Sequence, residues 1–140
     1  MIIRYALFEG EIHPGQESEF RRFVRDRLVP LWTQFPGAEE VRVLDGTARD
    51  EGAPAYAMAL AIRYPDMDTC NRALQSDVRF QSREVTGELL KMFTGRVHHH
   101  VFRGQRIRTS VIAANPKYLL LRNSQGKPLR FFLELLWYHQ

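Results

Sequence analysis

Three adjacent histidines, His98, His99 and His100, in the stretch RVHHHVF (96–102), are the residues of this chain best suited to chemistry. Neutral imidazole serves as metal ligand and as general base near pH 7. On a β-strand successive side chains point to opposite faces, so His98 and His100 share one face with Phe102, and His99 shares the other with Val97 and Val101. Two chemistries follow. His98 and His100, about 7 Å apart along the backbone, can converge on Zn²⁺ or Fe²⁺ if His13, His139, a carboxylate or a second copy of the chain supplies another ligand. His99 is either a catalytic base or a hydrogen-bonded histidine of the core.

Tyr5 lies on the first strand, expected beside the histidine strand, and meets either His99 or the His98/His100 face according to register. A His99–Tyr5 pair suits proton abstraction from an acidic carbon, which then rearranges or reacts with O₂ without a cofactor; it equally suits a structural hydrogen bond. Trp32 is read as substrate-binding or as core together with Phe20, Phe23 and Phe93. Arg42 and Arg63, on strands, hold a substrate carboxylate or phenolate, or else face solvent or a dimer partner. No Ser/His/Asp set or glycine-rich phosphate loop is present, EGEIHPGQ being too poor in glycine. The lone cysteine, Cys70, is read as a buried structural thiol.

Four strands and two helical units, the second in two pieces, must position these residues. MIIRYALFEGEI is rich in strand formers and stops at Pro14–Gly15. From 16 to 35 apolar residues recur at helical spacing through Phe20, Val24, Leu28 and Trp32, with a kink or restart expected near Val29 because Pro30 lacks an N–H. EEVRVLDGTA alternates as a second strand. AYAMALAIRY alternates most clearly, with Tyr56, Met58, Leu60, Ile62 and Tyr64 on one face and alanines on the other; the bulky face suits an interface or core, the alanine face a close helix or a cavity. Asp66 and Asp68 are candidate caps of a helix carrying Met67, Cys70 and Leu74, and a further helix is read from about 81 to 93. Gly95 releases the histidine strand. The order is βαββαβ: an α+β, ferredoxin-like unit with a four-stranded antiparallel sheet and helices on one face.

With 140 residues, one domain is expected. The net charge of +4 is concentrated at the end of the chain: residues 1–104 carry net −1 and residues 105–140 net +5. The first segment therefore has the interspersed surface of a protein that does not bind nucleic acid. No apolar run is long enough for a membrane span, and the start is read as lacking a secretory leader, so a cytoplasmic protein is expected. Residues 105–140 form a basic, apolar arm, read as a β-hairpin or a helix, that covers apolar surface on its own dimer or builds a higher oligomer.

The element order, the Pro-Gly after a long first helix and the run VPLWTQFPGAEEVRV resemble the dimeric α/β-barrel superfamily, which includes antibiotic-biosynthesis monooxygenase-like and EthD-like proteins. The likeness covers about residues 1–104. It implies a homodimer in which two sheets pack together, and a small apolar or aromatic ligand bound between sheet and helices. Leu28 stands where EthD-like proteins tend to carry histidine, so EthD-type chemistry does not follow. The Asn, Trp and His set of haem-degrading members does not map onto Trp32 and Asn71, and no cofactor is expected. The function expected is binding, with cofactor-independent oxygenase or isomerase-type conversion, of an aromatic or polyketide-like molecule; the alternatives are a non-catalytic ligand-binding or stress-related module, and a metal enzyme using His98 and His100.

Overall fold

A computed structural model of the chain describes residues 1–109. Strand β1 (Ile2–Ile12) lies at the centre of the sheet, flanked by β3 (Tyr56–Tyr64) and β4 (Phe93–Arg103), with β2 (Glu40–Asp45) outside β3. The order β2-β3-β1-β4, with every pairing antiparallel, is the ferredoxin-like arrangement read from the sequence. The arm proposed for 105–140 falls, beyond residue 109, outside the described residues. Among those described, no helix is long and apolar enough to cross a membrane.

One sheet face carries the helices. There Phe8, Met58 and Tyr64 pack almost wholly buried against Phe20, Leu28, Cys70 and Leu89. Burial of each large side chain of this kind contributes roughly 1.5–3 kcal/mol before chain entropy is subtracted. Of the two faces of β3, the bulky one bears the helices. The alanine face, through Ala59 and Ala61, lies on the side without helices, so it makes room neither for a helix nor for the cavity described below, while Ala57, at the register shift, packs against the core. Tyr56 departs from the bulky row: a register shift between Phe8 and Glu9 sets it opposite Glu9, on the open side.

The first helix is in three parts, α1 (Glu17–Phe23), a π-turn (Val24–Leu28) and α2 (Val29–Trp32). The restart falls at Val29, as Pro30 demands, and the Val29 N–H reaches five residues back to the Val24 carbonyl. Asp66 caps α3 (Met67–Leu74), its carboxylate accepting from the Thr69 N–H at 2.8 Å; Asp68 lies in the first turn. Helix α4 spans Asp77–Leu89 rather than 81–93, because Ser76 caps it by accepting from the Arg79 N–H. A 3₁₀ turn at Leu90–Met92 ends the helix, and β4 begins at Phe93, earlier than Gly95 suggested. Gly95 is inside the strand, facing Gly10, and both have positive φ. A Cβ on either would overlap the opposite backbone, so the two strands cross where neither has a side chain.

Candidate functional site

The pairing of β4 with β1 settles the distribution of the histidines. His99 stands opposite Ala6 and therefore on the helix-bearing face; His98 stands opposite Leu7 and His100 opposite Tyr5, on the open face. The alternation read from the sequence holds. The pairing of His99 with Tyr5 does not form: a side chain directly across from His100 points away from His99, on the other side of the sheet. Tyr5 packs edge-on against Phe102, at 5.6 Å between ring centres.

His98 and His100 are neighbours, ring centres 5.3 Å apart. His98 Nε2 lies 3.1 Å from Glu9 Oε1, and the ring also packs on Tyr56. Among the described residues no group of three or more His, Cys, Asp or Glu side chains is arranged to hold a metal ion. His13, considered as a further ligand, is engaged with the Thr94 hydroxyl at 2.8 Å. Arg42 and Arg63 occupy the open face as well. Arg42 pairs with Glu40 at 3.1 Å, and Arg63 with Glu39 and Glu40 at 3.3 Å each. Neither reaches the helix side.

A cavity of about 490 Å³ lies on that side, between the sheet and the helices. Phe8, Leu60 and Ile62 form its apolar floor, and Trp32 and Phe35, delivered by α2 and the turn after it, form one wall. Trp32 is thus the aromatic of the expected site that does line the cavity. Arg79, Ser82, Arg83, Thr86 and Gly87 line it from α4, at three- and four-residue spacing along one helical face. Arg4, Tyr64 and His99 complete it from three different strands. The volume suits a small organic ligand.

Its polar groups are tuned by their surroundings. Partial desolvation, followed by the charges of Arg4, Arg79, His98 and Arg83, lowers the His99 pKa from 6.5 to about 4, although the residue is exposed in the single chain. His99 is therefore a neutral imidazole at pH 7. Burial, and next the Cys70 thiol, pushes the Tyr64 hydroxyl up to about 12, so Tyr64 is a neutral donor. Burial also lowers Arg4, with Arg79 adding to the effect, yet a guanidinium remains charged at neutral pH. Ser82 and Thr86 donate their hydroxyl hydrogens to the carbonyls of Arg79 and Ser82, which leaves their oxygens as acceptors.

Arg4, Tyr64, Arg79 and Arg83 are the cavity residues that sequence reasoning missed. Arg79 and Arg83 carry a signal, four residues apart, but on an amphipathic helix such a pair reads as a solvated face.

No protein-family model matches the chain, and no curated protein matches it. Solved structures do. An EthD family protein from Bacillus halodurans superposes with a TM-score of 0.61 at 17% identity, covering 75% of this chain and 99% of that one. A protein of Bordetella bronchiseptica, described as a candidate antibiotic biosynthesis monooxygenase, gives 0.53 at 20% identity over 75% and 98% of the two chains. A dimeric protein of unknown function and ferredoxin-like fold from Bacteroides fragilis gives 0.52 at 10% identity, over 74% and 95%. These likenesses establish the ferredoxin-like fold. They include both kinds of protein that the sequence resembles.

Proposed function

We propose that the chain binds a small aromatic or polyketide-like molecule in the cavity between sheet and helices, and converts it there without a cofactor. The observation that carries this reading is the cavity itself: about 490 Å³, with an aromatic wall at Trp32 and Phe35 and one imidazole, His99, among its polar groups. In this reading Trp32 contacts the ring system of the ligand. His99, neutral at pH 7, takes a proton from an acidic carbon. Returning that proton to a different carbon is an isomerisation; reaction of the carbanion with O₂ is an oxygenation.

One observation favours binding without turnover. A base whose conjugate acid has a pKa of about 4 is a weak proton acceptor at pH 7, where the best general bases have pKa values close to the ambient pH. Turnover therefore requires the bound ligand to raise His99, whereas a non-catalytic ligand-binding module requires nothing of it.

The protein acts as a homodimer in this reading, its open sheet face covered by a second copy. That face presents Leu7, Leu44 and Phe102 around Ala59 and Ala61, and Leu44 and Phe102 are exposed in the single chain. The Bacteroides neighbour is itself described as dimeric.

The test is a panel of hydroxyaromatic and polyketide-like compounds incubated with the protein in chelator-treated buffer. Thermal shift reports binding; mass spectrometry and O₂ uptake report conversion. Product that disappears in His99→Gln supports the enzyme, binding without product supports the module, and neither binding nor product overturns both.

A further inference from the structure

We infer that the ligand of this cavity is an organic anion, an aromatic body bearing a carboxylate, held by Arg4, Arg79 and Arg83. The inference rests on the reading of the cavity as a ligand site and deepens it by naming the chemical class. Three guanidinium side chains line one cavity, and its lining contains no Asp or Glu. Several other arginines do have carboxylate partners: Arg21 lies 2.7 Å from Asp45, Arg63 3.3 Å from Glu39, Arg96 3.2 Å from Glu9. Among the described residues no carboxylate pairs with Arg4, Arg79 or Arg83. Glu88, on the same helix as two of them, is directed to Arg27 at 3.8 Å.

Like charges one helical turn apart, as at the half-buried Arg79 and the exposed Arg83, repel one another, and the half-buried Arg4 adds a third. An anion among them reverses the sign of that interaction. Arg79 gives one N–H to the Leu74 carbonyl at 3.3 Å and keeps others for a ligand, since a guanidinium carries five. A carboxylate takes two of them side by side. The remaining wall, Phe8, Trp32, Phe35, Leu60 and Ile62, offers such a ligand's body an apolar bed and rejects a small inorganic anion's hydration shell. His99 reports on the same event. The cations that now hold its protonated form at a disadvantage are offset by a bound carboxylate, so its pKa rises on binding.

The experiment titrates the full-length protein calorimetrically with aromatic carboxylates from benzoate to 1-naphthoate and anthracene-9-carboxylate, each beside its uncharged amide. The carboxylates are expected to bind at least about tenfold more tightly at pH 7 than their amides, a fold-change typical of a charge-assisted contact. Arg83→Gln and Arg79→Gln should each weaken the carboxylate more than its amide, narrowing the preference toward equality. Arg83→Lys should retain much of the preference. NMR titration of His99 should give a higher pKa with 1-naphthoate present than without it. Equal affinity for carboxylates and amides overturns the anion but leaves the aromatic cavity standing, whereas failure of every compound in both sets removes the cavity reading as well. Displacement of 1-naphthoate by equimolar inorganic phosphate overturns the proposal in favour of a simple anion site.

Discussion

Gly87 on α4 and His99 on β4 line the same cavity, one from the helical wall and the other from the sheet. Gly87 is inside a helix, and a methyl group at that position meets no atom within 4 Å. Gly87→Ala should therefore stabilise the protein by about 0.5–1 kcal/mol through helix propensity, seen as a higher melting temperature. Gly87→Leu should keep the fold and weaken binding, because its side chain fills space opposite His99. Unchanged calorimetric affinity in the leucine variant would contradict the placement of the ligand.

Stability should fall with pH in two separate windows. His99 titrates near 6.5 in the unfolded chain and at about 4 in the folded one, so between these values the unfolded state binds the extra proton and is favoured. The contribution of His99 is absent above pH 6.5, and its destabilisation is complete below about 4. His99→Gln should flatten the melting temperature across that interval. Asp66 acts in the same direction at lower pH: the Thr69 N–H, then the Thr69 hydroxyl, hold its carboxyl below the usual range, so its stabilisation is present above 3.8 and lost as pH falls through the folded value. Asp66→Asn should remove the pH dependence of the melting temperature only in that lower window, as melting curves taken every half pH unit will show.

Ser76 fixes the start of α4 by accepting from the Arg79 N–H and by donating its hydroxyl to the Ala73 carbonyl at 2.6 Å. Ser76→Ala should cost about 1 kcal/mol in chemical denaturation. It should also raise hydrogen exchange at Arg79, the first arginine of the cavity wall. A Ser76→Asp variant, which can cap, should restore both.

Ala59 lies at the middle of the open face, beside Leu7 on β1 and Leu44 on β2. Ala59→Arg should convert a dimer into a folded monomer at micromolar concentration, measured by light scattering with circular dichroism to verify the fold. A wild-type protein that is monomeric throughout that range refutes the homodimer.

The sequence made the strands and the alternation of the three histidines readable because a period of two is set by the backbone alone. Pro30 likewise announced the break in the first helix, since its missing N–H cannot be compensated locally. Pairing register leaves no such trace. Whether Tyr5 met His99 or His100 depended on a shift of one residue between β1 and β4, which side-chain types on either strand do not specify. Arg42 and Arg63 looked like ligand residues because they interrupt apolar strands, but the same interruption marks a wet face with Glu39 and Glu40 nearby. The arginine wall was hidden for a different reason: Arg79 and Arg83 acquire a common target only when α4 lies over β1 and brings them toward Arg4.

The π-turn at Val24–Leu28 means that the first helix contains one more residue than an α-helix needs to join the same two ends. Removing a residue from an ordinary helix turns everything downstream by about 100°. Here the surplus is absorbed locally, so deletion of the exposed Arg25 can let the segment close into a regular helix with Trp32 still directed at the cavity. Pro30 opposes that closure, because in a regular helix its ring would press on the carbonyl four residues earlier. Chain length and the proline are therefore coupled: the shortened helix should be accepted with Pro30→Ala and rejected with Pro30 in place.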